Sequence, residues 1–152
     1  MSQGIAGEIK RRREALDLAV SDVAAAVGLS SDQYEDLETD DDEVFMAVTI
    51  NQVLRLGDLL GVRIHELVGR GEFEHDEGIG IREFLAIVRR HMASRNESID
   101  EFSERVGWDV AAALADPDVA GAEWNLDCLR DISAGVSVDW RLVLSGMEIR
   151  MP

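Results

Sequence analysis

Apolar residues recur three and four positions apart along most of the chain. Ile50, Val53, Leu54, Gly57 and Leu60 form one such stripe, and Phe84, Ile87, Val88 and Met92 form another. That spacing gathers side chains on one face of a helix, and no run shows the sustained alternation of a half-buried strand. The pattern predicts an all-α fold. Start signals fall where the periodicity needs them. Ser30-Ser31-Asp32-Gln33 and Ser98-Ile99-Asp100-Glu101 fit the capping box, and Thr49 stands ready to cap a helix beginning at Ile50.

One stretch breaks the pattern. Gly69 to Gly80 is rich in glycine and acidic residues and reads as a linker, dividing residues 1–68 from residues 81–152. The two parts echo one another. Each begins with a helix carrying basic residues, Lys10 to Arg13 and then Arg89-Arg90. Val27-Gly28-Leu29 has its counterpart in Val106-Gly107-Trp108, 79 positions on. Leu60-Gly61-Val62 finds one in Ala134-Gly135-Val136, where Gly61 and Gly135 are 74 positions apart. The expectation is two tandem five-helix units, the second about five residues shorter between these markers.

The first unit resembles the phage-repressor-type (Cro-like, XRE family) helix-turn-helix proteins. The residues carrying the resemblance run from Ser21 to Glu38: a small Ala24 where two helices cross, Gly28 in the turn, and Leu29, Tyr34 and Leu37 facing inward. Thr49 to Leu67 is similar to the last two helices of that family, so residues 5–68 are covered. Residues 81–146 resemble a degenerate second copy. Its tail, Asn125 to Gly146 with Trp140, is similar to the end of many phage repressor domains. Its turn and following helix depart from the pattern at Asp116 and Pro117. The resemblance implies lambda-repressor-like units and a recognition helix over Ser31 to Glu38. Ser31, Asp32, Gln33, Glu35 and Asp36 would then point toward a major groove, and Gln33 is of the type that reads adenine.

Charge changes that picture. Fifteen Lys and Arg stand against 31 Asp and Glu, giving a net charge of −16 spread over both halves. Seven of the nine residues from Glu35 to Glu43 are acidic, and they occupy the loop that would otherwise meet phosphates. Phosphate binding depends on cations that displace counterions. The only basic cluster, Lys10, Arg11, Arg12 and Arg13, is the candidate phosphate clamp, set against the blander reading of a solvated helix face. In the second copy, Trp108 to Asp116 has no side chain suited to base edges.

Other chemistry is thinly represented. His65, His75, His91 and Cys128 lack metal-ligand spacing, and Asp40 to Glu43 lack the form of a calcium loop, so neither metal nor cofactor is expected. No nucleophile or phosphate-loop motif occurs, and no enzymatic role is expected. With a single cysteine, no leader-like start and no apolar run of membrane length, a cytoplasmic protein away from membranes is expected. The candidates for contact with a protein partner are Asp40, Asp41, Asp42, Glu43, Phe45, Met46 and Trp124. They combine an anionic rim with apolar anchors, although Phe45, Met46 and Trp124 also suit a core. Two functions follow. One is a regulatory protein on a helix-turn-helix scaffold that binds a basic protein, as a DNA mimic or an antitoxin-like regulator. The other is a transcriptional repressor that binds operator DNA as a homodimer.

Overall fold

The computed structural model describes residues 4–69 and 78–149, the side chain of Ile149 excepted. Most of the linker, from Arg70 to Glu77, lies outside the described residues, as do 1–3 and 150–152. Gly69 closes one helix and Gly80 opens the next. Within the described residues the fold is all-helical, and no helix is long and apolar enough to cross a membrane. The helices are α1 (Ile5–Ala15), α2 (Val20–Val27), α3 (Ser31–Leu37), α4 (Glu43–Met46), α5 (Ile50–Leu60), α6 (Ile64–Gly69), α7 (Gly80–Ser94), α8 (Ile99–Val106), α9 (Ala111–Ala115), α10 (Asp118–Glu123), α11 (Leu126–Gly135) and α12 (Trp140–Ile149). Each half thus holds six described helices. The number exceeds the expected five by one short helix apiece.

Local chemistry sets the boundaries. Ser30, Thr49 and Ser98 each accept a hydrogen bond from the backbone N–H three residues on. Gln33, Gln52 and Glu101 bond back in return, so all three boxes form. Each cap contributes about 1 kcal/mol. Helix ends are closed by residues in the left-handed region: Asp17, Gly28 and Gly61 in the first half, Asn96, Gly107 and Ser137 in the second. After each, the next residue's N–H reaches five positions back, as in Val62 N to Gly57 O at 2.9 Å and Val138 N to Ser133 O at 3.0 Å.

These turns give a different spacing from the one expected of a repeat. Asp17 and Asn96 are 79 positions apart, as are Gly28 and Gly107, but Gly61 corresponds to Ser137 at 76. Gly135 is not a turn residue. It is the last residue of α11, where a Cβ would lie 2.5 Å from Val106 Cγ1. That glycine serves close packing of α11 on α8. The second half is three residues shorter between these markers, not five.

The halves are distinct in sequence but joined in space. α12 crosses both α6 and α7, α10 lies on α5, and α11 lies on α4. One apolar cluster runs from Ile5 and Ile9 through Tyr34, Leu37, Ile50 and Leu56 to Phe84, Phe102, Leu129, Ile132 and Leu144. Polar links cross the seam. Ile50 N donates to Trp124 O at 2.8 Å, and Asn125 Nδ2 to Met46 O at 3.2 Å. Glu148 of α12 caps α6, accepting from Ile64 N at 2.7 Å and His65 N at 2.9 Å, with His65 Nδ1 at 2.6 Å.

Candidate functional site

The candidate site is the face built by α2, α3 and the loop into α4. Val23, Ala24 and Val27 turn inward from α2, and Ala24 is small enough to let α3 cross closely. Gly28 adopts φ +87°, a conformation that penalises any residue with a Cβ, and the chain reverses there. The Ser30 cap starts α3, and Tyr34 and Leu37 bury its inner stripe. What remains outside is Ser31, Asp32, Gln33, Glu35 and Asp36, all exposed and none covered by the second half. Gln33 is partly committed, because its side-chain oxygen accepts from Ser30 N at 2.9 Å.

The three arginines of the basic cluster on α1 each pair with a carboxylate. Arg11 and Arg12 both bond to Glu8, at 2.5 Å and 3.0 Å. The two guanidiniums hold the Glu8 carboxyl down at about 2, Arg11 contributing most. Arg13 forms a two-bond pair with Glu38, at 2.6 Å and 3.0 Å, with side chains 13% and 7% exposed, and also donates to Leu18 O. Burial alone would raise the Glu38 carboxyl, but the hydrogen bonds from Arg13 outweigh it and, with the Tyr34 hydroxyl alongside, hold it below its ordinary value. Lys10 is exposed, and its charge also acts on Glu38. Of the four phosphate-contact candidates, Arg13 is the one whose side chain is turned inward. Arg13 is an internal strut between α1 and α3.

The partner candidates separate into surface and scaffold. Asp40 accepts from Asp42 N at 2.9 Å, and both side chains are exposed, while Glu43 is half-buried at the start of α4. Asp41 belongs to the scaffold, since its Oδ1 accepts from Ala6 N at 2.9 Å and caps α1 from across the fold. Phe45 packs edge-on against Trp140, ring centroids 6.2 Å apart, beneath the Arg130 guanidinium at 5.4 Å. Met46 does project, 57% exposed. Trp124 does not. It is 6% exposed, covered where α10 meets α5, so its reading as a protruding anchor is corrected.

The electrostatic result is one-sided. Residues 14–54 contain eleven Asp and Glu and no Lys, Arg or His. This segment spans α2, α3, α4 and the first turns of α5. Its carboxylates at 32, 35, 36, 40 and 42 are exposed and make no ion pair among the described residues. Such a surface attracts cations over roughly a Debye length and repels phosphates over the same range. The second half repeats the sign. Asp100, Glu101, Glu104 and Asp109 are exposed on and after α8, while Arg105 is held by Glu97 and lies 5.1 Å over Phe102. The helix after the α8 turn, α9, presents Ala111, Ala112 and Ala115. No group of His, Cys, Asp or Glu suited to a metal occurs among the described residues.

One partnership was legible from spacing: Glu8 stands three and four residues before Arg11 and Arg12, the pairing distances on a helix. The links from Glu38 to Arg13 and from Asp41 to Ala6 join residues 25 and 35 positions apart and leave no local trace. Comparison with family models, with curated proteins and with solved structures returns no match to this chain.

Proposed function

We propose that the chain is a non-catalytic regulatory protein on an XRE-type helix-turn-helix scaffold, repeated in tandem, and that its anionic face binds a basic protein. The observation carrying this reading is the charge of the α2–α4 face together with the fate of the cations beside it. Exposed carboxylates occupy the positions from which a recognition helix would read bases. Arg11, Arg12 and Arg13, the groups nearest to hand for holding phosphates, are each bound to a carboxylate of the same chain. A face of this kind resembles the surface of a nucleic acid in charge, so a protein that itself binds nucleic acid is the partner it suits, as a DNA mimic or an antitoxin-like regulator would.

The runner-up reading is a dimeric operator-binding repressor. The specific feature in its favour is the α2–Gly28–α3 arrangement with Ser31 and Gln33 exposed at the start of α3. Charge weighs against it, since fold alone does not determine function.

The test neutralises Asp32, Glu35, Asp36, Asp40 and Asp42 to their amides and leaves the capping Asp41 intact. Net charge falls from −16 to −11. Capture of basic proteins from lysate at about 50 mM salt is expected to drop several-fold, mainly through slower association. Unchanged capture, with DNA binding appearing in the neutral variant, would overturn the proposal.

A further inference from the structure

A cavity of about 270 Å³ opens in the second half, between the turn after α8 and the first turn of α11. Its origin lies in the repeat. In the first half Gln52 reaches across this space, and its Nε2 donates to Gly28 O at 3.4 Å. The equivalent residue 76 positions on is Cys128, whose short side chain cannot span to Gly107, so the space stays open.

Trp108 and Trp124 form part of the wall, with Asp109, Glu123, Asn125 and Cys128. The polar groups present are acceptors or are already committed. Trp108 Nε1 donates to Asp131 at 2.9 Å. Asn125 uses both ends of its amide, accepting from Cys128 N at 2.8 Å and donating to Met46 O. The Cys128 thiol is pushed up to about 12 by burial and by Asp131, so it is neither an anion nor a nucleophile near neutral pH. An anionic ligand would meet two carboxylates and no cation. Glu123 is exposed and makes no ion pair among the described residues, and one oxygen of Asp109 is taken by Ala111 N at 2.9 Å.

We propose that this cavity binds one organic cation on an aliphatic stem, an alkylammonium or guanidinium group, with the stem against the tryptophans and the charge near Asp109 and Glu123. Aromatic faces attract such cations, and a flanking carboxylate adds Coulomb attraction. The volume decides the size class: it falls just below the ~300–1,000 Å³ of sites for drug-sized ligands, which suits a single side chain or a small amine. The source is either a free amine or a Lys or Arg side chain of a protein. This site stands on its own cavity and does not rest on the charge of the α2–α4 face, so either proposal can fail alone.

The experiment follows the indole N–H signals of the whole chain by NMR while n-butylammonium is added at constant ionic strength. Saturable shifts of Trp108 and Trp124, with Trp140 unmoved, are expected at a Kd on the order of 1 mM. The neutral isostere 1-butanol is expected to bind at least fivefold more weakly. Glu123→Gln, at an exposed site, should weaken the cation about fivefold. Cys128→Met should fill the cavity and abolish the shifts, a melt confirming that each variant is folded. A second arm compares the blocked tripeptide Gly-Lys-Gly with its norleucine analogue. Binding of the lysine peptide assigns the site to a protein side chain, and binding of the free amine alone assigns it to a small molecule. Equal binding of butylammonium and butanol, or no saturable shift from any cation up to about 50 mM, would overturn the proposal.

Discussion

Replacing Arg13 with methionine removes the partner of an almost buried carboxylate. Glu38 is 7% exposed, takes two hydrogen bonds from Arg13, and lies against the wholly buried Tyr34, whose hydroxyl has no well-formed hydrogen bond. Breaking such a pair from one side costs roughly 3–5 kcal/mol, because a desolvated charge is left behind. Glu38 can escape by taking up a proton, which puts the loss near the lower end, at about 3 kcal/mol. For a chain of this length that corresponds to a fall in Tm of about 6–12 °C. Glu38→Leu strands the guanidinium and should behave similarly. The double variant Arg13→Met/Glu38→Leu leaves neither charge, and its loss should be no more than about 1.5 kcal/mol. The assay is urea unfolding of the four proteins, followed by far-UV circular dichroism. A coupling of at least ~2 kcal/mol is expected between the sites. Losses that add to within ~0.5 kcal/mol, or single variants that melt within ~2 °C of the parent, would refute the reasoning and return Arg13 to the pool of cations available for phosphate.

The repeat register makes opposite predictions two residues apart. Gly135→Ala forces a methyl against Val106 and should cost about 1–3 kcal/mol, whereas Ser137→Gly relieves a side chain held at φ +59° and should be neutral or stabilising by up to about 1 kcal/mol. The reverse order in thermal melts would mean that Gly135 makes the turn. Acid titration tests the carboxylates of α1 and α3. Glu8 and Glu38 both have folded values below their ordinary value near 4.5, so their stabilisation is full above about 4.5 and is lost as pH falls below it, for Glu8 toward about 2. Glu38→Gln should therefore lose less stability than the parent over that window; equal slopes would contradict the role given to Glu38.

What could be read from the chain was local. The period of Ile50 to Leu60, the cap at Ser98 and the turn at Gly28 each depend on neighbours within a few residues, and all three appear as anticipated. Where a residue's partner is distant, the chain gave less. Asp41 reads as one more charge in an acidic run until the fold carries it to the start of α1. Trp124 reads as a loop residue available for contact until α5 arrives from the other half and covers it. Gly135 misled for a different reason: glycine serves both sharp turns and close packing, and sequence does not distinguish the two uses. The pocket beside Trp108 was invisible because its lining, from Trp108 to Cys128, comes together only in the fold.

The most direct test of the central claim, that the α2–α4 face is turned toward a basic protein and away from nucleic acid, is a fluorescence anisotropy titration of a random-sequence duplex with the full chain at about 50 mM salt. Low salt favours any cationic contact, and ordinary DNA-binding proteins hold non-specific duplex at roughly 1–100 µM even at physiological salt. The exposed carboxylates at Asp32, Glu35, Asp36, Asp40 and Asp42, with Arg13 locked to Glu38, predict no saturation up to about 100 µM and no gain on lowering the salt further. Micromolar or tighter binding that weakens steeply as salt is raised would contradict the account and make the operator-binding reading the better one.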